Sequence, residues 1–307
     1  MRITALQTVF DLAKNNKKIV FIGSDLGPGV MENFKKKFPK RFFMEGVSEQ
    51  FIIGLAAGLA KNGYIPFVNT ISTFLTRRCL DQIIIDLCLH KLPVRLIGNG
   101  GGLVYAPLGP THLAIEDIAI LRPIPNIMIL CPCDANEMKQ LILLTEKIEN
   151  PIYFRVARGG EKIITKEKIK RIGDPILYKQ SNNLVFLTTG ITAQIAQEAI
   201  VELKKKNINA GHVHLSSIKP YSKSKLFNLL KNTRKLVTLE EHTLIGGLGS
   251  LIANFLFETK LNKKIDLMKF GISDIFSEKY GEQKDLLDYA GLSCQNIVNK
   301  SIKFYKS

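Results

Sequence analysis

The chain has 307 residues, 46% of them hydrophobic, and a formal net charge of +16. That length accommodates two domains of ordinary size and a substantial core. No apolar run is long enough for a membrane span, and residues 1–18 mix acidic and basic side chains with no apolar signal core, so a soluble, cytoplasmic protein without a membrane partner is expected.

The positive charge invites an anionic partner, but the lysines are spread along the chain and no basic helix carries interleaved aromatics. A solvated lysine-rich surface accounts for it, and no nucleic-acid partner is expected. The cysteines at 79, 88, 131, 133 and 294 form neither a CxxC pair nor a His/Cys cluster. Incidental thiols in a reducing compartment, and no metal ligand, are expected.

Short β-branched runs alternate with helical patterns from the start, the mark of an α/β fold with mostly parallel sheets flanked by helices. The first half predicts strands near 19–23, 65–68, 94–98, 127–130 and 152–155, with helices over 50–61, 78–90 and 134–146. Residues 159–177 break this rhythm with charge, glycine and proline. A second set follows, with strands near 184–188, 210–215, 236–240 and 265–269 and helices near 193–205, 223–231, 248–258 and 284–304. Two α/β domains are expected, 1–165 and 178–307, joined by a linker over 166–177.

Along this framework four stretches carry chemistry. In "MEGVSEQFIIGLAAGLAKNG" (44–63) Glu49 stands at the first turn of a helix whose following residues are apolar or glycine, a helix meant for burial. A carboxylate there caps a helix in the ordinary case; its other use is to meet a ligand at the edge of the core. "GYIPFVNTISTFLTRRCLDQI" (63–83) gives a strand, a polar turn with Phe74, and a helix. Phe74 is either core or an aromatic face at the carboxyl end of the sheet, where ligands of open α/β sheets gather. "GNGGGLVYAPLGPTH" (98–112) gives three glycines, either a close approach to a ligand or a tight turn, and then His112. The spacing matches neither a dinucleotide fingerprint nor a phosphate-binding loop. "FRVARGG" (154–160) sets Arg155 and Arg158 after a strand, suited to a phosphate ester or to an interdomain ion pair.

Taken together, "FFMEGVSEQFIIGLAAGLAKNGYIPFVNTISTFLTRRCLDQI" and "GPTHLAIEDIAILRPIPNIMILCPCDANE" resemble the pyrimidine-binding domain of transketolases, and "VTLEEHTLIGGLGSLIA" with "GISDIFSEKYGEQKDLLDYAGL" resembles their C-terminal domain. The resemblance covers essentially the whole chain but only the C-terminal half of a full transketolase; the diphosphate-binding half, with its GDG metal motif, has no counterpart. It implies the C-terminal subunit of a split, thiamine-diphosphate-dependent transketolase that moves a two-carbon ketol unit from a ketose donor to an aldose acceptor. The alternatives are the beta subunit of a 2-oxoacid dehydrogenase or a 1-deoxyxylulose-5-phosphate synthase-like transferase. A partner chain would supply the diphosphate site with its Mg²⁺ or Ca²⁺, around a homodimer of this subunit in a heterotetramer, and the chain alone would be inactive.

By the same resemblance Glu49 is the acid that hydrogen-bonds the cofactor's pyrimidine nitrogen, and Phe74 the aromatic that stacks on that ring. Asp25 and Ile71 lie beside the cofactor. His112 serves catalysis and substrate hydroxyls, Arg158 and Arg2 bind substrate phosphate, and Arg77, where the 1-deoxyxylulose-5-phosphate synthases also carry an arginine, is a further substrate-binding residue. Three positions depart from the family pattern: Leu108 replaces an aspartate, Gly100 and Gly101 stand where another polar substrate residue is usual, and Gly29 replaces a serine. This thinned polar lining implies a modified sugar or an atypical donor. His242, beside a glycine-rich helix start, either binds an anion or serves structure, and the structural role is expected.

Overall fold

A computed structural model describes residues 1–24, 31–157 and 159–307. Among these, two sheets with helices on their faces make up the molecule. The first sheet uses β1 (Ile19–Gly23), β2 (Phe42–Met44), β3 (Ile65–Ile71), β4 (Arg95–Asn99), β5 (Met128–Leu130) and β6 (Ile152–Val156). The second uses β7 (Ile176–Lys179), β8 (Leu184–Thr188), β9 (Ala210–His214), β11 (Lys235–Thr243) and β12 (Asp266–Ile272). A short strand between β9 and β11, β10 (Ser217–Lys219), leaves the second half of the chain and joins the first sheet. The spatial orders are β10-β5-β6-β4-β3-β1-β2 and β12-β11-β8-β9-β7.

All pairings between these strands are parallel except two at the edges, β10 on β5 and β7 on β9. The central strands β1, β4, β6, β8 and β9 are buried at every position. In β1 and β8 the sequence is a continuous apolar run, as in parallel strands covered on both faces. Around them lie α1 (Arg2–Asn15), α2 (Glu32–Lys37), α3 (Glu49–Lys61), α4 (Leu80–Gln82), α5 (Asp117–Leu121) and α6 (Ala135–Leu144). The second sheet is flanked by α7 (Thr192–Lys205), α8 (Lys223–Leu230), α9 (Leu248–Glu258), α10 (Gln283–Tyr289) and α11 (Cys294–Lys306). At the first sheet's β2 edge the fully buried Phe21 stacks on Phe42 with ring centroids 5.6 Å apart, a fully buried ring of this kind contributing about 1.5–3 kcal/mol.

Four expectations need correction. The expected linker 166–177 ends inside a strand, because Ile176 and Leu177 already pair with His214 and Val213. The single helix expected over 284–304 is two helices, broken where Gly291 takes φ +74° between α10 and α11; glycine adopts that left-handed backbone without strain. The helix expected over 78–90 starts earlier: Phe74–Arg78 and Ile83–Cys88 are wound as π turns on either side of α4. Finally, α3 is not buried all round. Ile52, Ile53, Ala56 and Ala60 face the core, while Phe51, Gly54 and Gly58, three and four residues apart, form an exposed stripe. No helix among the described residues is long and apolar enough to cross a membrane.

Candidate active site

Glu49 opens α3 with its carboxyl turned inward, only 4% exposed. Burying a carboxylate is costly unless donors meet it, and two do: Ser24 Oγ at the end of β1, 3.1 Å from Oε1, and Arg78 Nη1, 3.0 Å from Oε2. These bonds come from elsewhere in the fold, so the side chain does more than cap its own helix. β1 and β3 pair in register up to Gly23 and Asn69, which sets Ser24 beside the carboxyl end of β3.

The strand β3 ends at the half-buried Ile71 and leads into the first π turn, where Phe74 is half-buried. In that turn Phe74 and Arg78 are four residues apart and meet: the guanidinium carbon lies 3.9 Å from the ring centroid. π turns of this kind are frequent at functional sites. Phe74 also meets the ring of His112 edge-on, ring centroids 5.1 Å apart at 67°. His112 lies in the turn after the short helix Ala106–Leu108, not in a helix, and its Nδ1 is 2.9 Å from Thr111 Oγ1. Glu49, Phe74 and His112, distant in sequence, thus form one connected group, with Arg78 as the link between the acid and the ring.

Buried polar atoms without partners, found elsewhere in the molecule too, occur at the same end of the sheet. Asn69 Nδ2, Asn99 Oδ1 and the Thr73 hydroxyl are buried and have no hydrogen-bond partner among the described residues. Native interiors leave few such atoms. A buried acid, an aromatic face and unspent polar atoms suit a flat heterocycle with ring nitrogens and an amino group, so the residues present fit the pyrimidine end of thiamine diphosphate.

The expected substrate-binding arginines are placed less uniformly. Arg77 lies on the same π turn but is engaged: its Nε pairs with Glu116, and its Nη2 donates to the Leu113 carbonyl at 3.0 Å. It borders a cavity of about 470 Å³ lined by Ile115, Glu116, Thr243 and Asp274. Arg2 is half-buried at the start of α1, whose preceding residue Met1 pairs through its amino group with Glu161 at 2.9 Å. The helix start therefore lies against the segment that follows β6. Asp25, Gly29 and Arg158 lie outside the described residues.

Arg155 forms an ion pair, but within the first half of the chain and not between the halves as expected; only its bond to the Glu241 carbonyl crosses over. Its Nε donates to Asp117 at 2.8 Å, and its Nη2 donates to the carbonyls of Ala114 and Glu241, each at 2.9 Å. Tyr153 also donates to Asp117, at 2.7 Å. The Glu241 carboxyl, on β11, accepts from Leu103 N and from Gln283. This buried knot ties the two sheets together. Burial works against the Arg155 charge, yet the adjoining Asp117 carboxylate raises the guanidinium's pKa above its ordinary value. The glycine loop serves the same packing: a Cβ on Gly101 would lie 2.5 Å from Arg155 Cγ, and one on Gly102 2.5 Å from the Glu241 carboxyl carbon. These glycines make room for the chain's own side chains.

His242 is structural as well. It is buried, bonds the Thr243 carbonyl through Nδ1 at 2.8 Å, and accepts from Ala119 N of the first half at 3.3 Å. Burial pushes its pKa down to about 4. The cysteines are unpaired, and burial pushes the Cys79 thiol up to about 12 and that of Cys88 up to about 11, which leaves these two inert as nucleophiles. Sequence reasoning missed one cluster. Cys133, Glu137 and His214 bring ligand-type atoms within 4.8 Å of one another, all buried, where α6 meets β9. They are engaged with each other and with Thr165 and Tyr178. Separations of up to 77 residues between partners gave no local signal.

Arg78 and Ser24 were also missed. Arg78 follows Phe74 by four residues, a spacing that brings side chains together on a helical turn, so its stacking was readable in principle. Its pairing with Glu49, 29 residues away, was not.

Comparison with known proteins gives concordant results. The family pattern described as "Transketolase, pyrimidine binding domain" matches residues 3–160, and "Transketolase, C-terminal domain" matches residues 175–297. A "putative transketolase C-terminal section" of Methanocaldococcus jannaschii is 33% identical over 98% of this chain and 94% of its own length. A subunit of the apulose-4-phosphate transketolase of Phocaeicola vulgatus is 30% identical over 97% of this chain and 95% of its own. A 1-deoxy-D-xylulose-5-phosphate synthase of Geobacillus is 36% identical, but the match covers only 47% of that protein. Among solved structures, one described as "Split gene transketolase, inactive beta4 tetramer" superposes with a TM-score of 0.89 at 32% identity, over 98% of this chain and 97% of that one. The transketolase of Campylobacter jejuni, at 20% identity and a TM-score of 0.82, shares the fold over 46% of its length.

Proposed function

The chain belongs to the transketolase family, and from that premise we propose that it is the pyrimidine-contacting subunit of a two-chain, thiamine-diphosphate-dependent transketolase. The observation that carries the reading is the group of Glu49, Phe74 and His112 at the carboxyl end of a parallel sheet: an imidazole edge-on to an aromatic ring, and a buried acid joined to that ring through Arg78. Thiamine diphosphate supplies, when bound, a carbon that becomes a nucleophile on losing its proton. Glu49 would hold or share a proton at the pyrimidine ring nitrogen, and Phe74 would present its face to that ring, with Ile71 and Asp25 beside it. His112, against the edge of Phe74, would hydrogen-bond substrate hydroxyls.

The transfer is of a two-carbon ketol unit from a ketose to an aldose. Arg158, Arg77 and Arg2 are the candidate phosphate contacts, and a phosphate at Arg77 competes with Glu116 for the same guanidinium. Leu108, Gly100 and Gly29 in place of polar residues favour a modified sugar, and the relative named for apulose 4-phosphate supports that direction.

The partner is a chain carrying the diphosphate site and its Mg²⁺ or Ca²⁺, joined to a homodimer of this subunit. Three observations support it. Two relatives of about this chain's own length are named as a section and as a subunit of a transketolase; a solved relative of similar length is described as inactive; and the exposed stripe of Phe51, Gly54 and Gly58 offers an open apolar helix face. Such a face is suited to a neighbouring element.

The test is reconstitution with a candidate partner chain, following ketol transfer between sugars by mass spectrometry. Transfer that needs both chains and is lost in Glu49→Ala supports the reading; full activity of Glu49→Ala in the assembled pair rejects it. A second reading, a synthase that condenses a 2-oxoacid with an aldose phosphate, is favoured by the 36% identity to the Geobacillus synthase. It predicts carbon dioxide release from pyruvate in place of ketose consumption. Reductive acylation of a lipoyl group would point instead to a 2-oxoacid dehydrogenase component.

A further inference from the structure

Arg78 makes the two contacts that a flat, nitrogen-bearing ring at this site requires. Its Nη1 lies 3.0 Å from Glu49 Oε2, and its guanidinium carbon lies 3.9 Å from the centroid of Phe74. A guanidinium is planar, delocalised and rich in N–H donors. It therefore satisfies a carboxylate through its edge and an aromatic ring through its face at once, as an aminopyrimidine does. The two cannot share the space.

We infer that Arg78 is an internal stand-in for the cofactor's heterocycle: in the unloaded subunit it occupies the gap between Glu49 and Phe74, and it swings out when the cofactor enters. The inference rests on the proposed roles of Glu49 and Phe74 and concerns what guards them. The geometry supports a removable occupant. The Arg78 side chain is 46% exposed, whereas that of Glu49 is 3% exposed, so the arginine has open solvent to swing into and the acid has none. A half-exposed ion pair and a surface cation–π contact are each weak interactions, strong enough to keep the buried acid paired but weak enough to yield.

The stand-in has two consequences. It satisfies Glu49, whose inward carboxyl would otherwise lose its charged donor, and so preserves the site before assembly with a partner. It also lowers apparent cofactor affinity by the fraction of molecules in which the gap is filled. Removing the guanidinium lifts that penalty, with an expected gain of about tenfold in affinity, equivalent to about 1.4 kcal/mol.

The experiment measures thiamine diphosphate binding with Mg²⁺ by isothermal titration, using the full chain assembled with its partner, as wild type, Arg78→Ala, Arg78→Lys and Glu49→Ala. Thermal melting of each free chain reports folding. Tighter binding by a folded Arg78→Ala is expected, at a melting temperature somewhat below wild type because the buried Glu49 loses its charged donor, with Arg78→Lys nearer to wild type because it keeps the charge but not the planar face. Unchanged or weaker binding by a folded Arg78→Ala overturns the inference. A second readout covers the case in which the variant does not fold. Phenylglyoxal labelling of Arg78 in the wild-type assembly, located by mass spectrometry, should rise on adding thiamine diphosphate; an unchanged or lower labelling would leave no displacement and overturn the inference. Glu49→Ala separates this result from the parent reading. If it binds the cofactor like wild type, the proposed site is wrong; if it binds poorly while Arg78→Ala does not improve, the site stands and the stand-in falls.

Discussion

Two of the arginine–acid pairs in this molecule differ in an instructive way. Arg155 and Asp117 are sealed between the two sheets, 7% and 0% exposed, with Tyr153 and the carbonyls of Ala114 and Glu241 taking up further bonds. Arg78 and Glu49 are asymmetric: the acid is buried, the arginine half out in solvent, and the guanidinium rests on a single ring. The first arginine is held by its surroundings and has no room for a ligand. The second has an exit into solvent. Similar residue types serve architecture in one place and chemistry in the other, and burial of the arginine is what separates them.

The largest effect should come from the sealed pair. Asp117→Ala leaves the Arg155 charge buried and unpaired, and a loss of about 3–5 kcal/mol in stability is expected by denaturant titration. Glu49→Ala inverts that pattern. The free chain should melt near wild type, because Arg78 can turn to water, while ketol transfer by the assembled pair should fall about 100-fold or more, as for the loss of an acid–base group. A large loss of stability in Glu49→Ala with transfer intact would erase the distinction between the two pairs.

The histidines sharpen it through pH. Burial pushes the pKa of His242 down to about 4 and that of His212 down to about 3. Unfolded histidines near 6.5 bind protons that the folded ones refuse, so stability is full above about pH 6.5 and falls as pH drops from there toward about 4 for His242 and about 3 for His212. Glu240 opposes this slope. Burial raises its pKa to about 7, against the Gly249 and Leu248 amides that lower it, so the folded state holds a proton that the unfolded one releases and loses stability as pH rises from about 4.5 to 7. Glu240→Gln should therefore show a steeper melting-temperature curve than wild type between pH 4.5 and 6.5.

Phe74→Ala should weaken thiamine diphosphate binding several-fold, since an aromatic contact contributes about 0.5–1.5 kcal/mol beyond burial. It should leave the sealed knot untouched. The smallest effect is expected at Lys223–Glu258, an exposed pair, where Lys223→Ala should change stability by less than about 1 kcal/mol.

The framework was largely legible in the sequence because buried parallel strands are written as continuous apolar runs. Residues 19–23 and 184–188 are both expected and observed strands. What escaped was written in short or polar segments. β10 is a three-residue strand that crosses to the other sheet, and nothing in "SIK" says which sheet it will join. β7 hid in a stretch that composition marks as a connector. The π turns at Phe74–Arg78 and Ile83–Cys88 have no periodicity of their own that separates them from an ordinary helix.

At the site, the residue types and their local settings came from the sequence: an acid opening an apolar helix, an aromatic after a strand, a histidine after a glycine-rich loop. Those depend on neighbours along the chain, and short-range chemistry is what a linear string records. The partners came only from the fold. Whether Arg155 would bind a ligand or Asp117, and that Arg78 would reach back to Glu49, depended on strand order and register, which bring together side chains 38 and 29 residues apart. Long-range proximity follows from how the sheets pack, and no local pattern in the sequence encodes it.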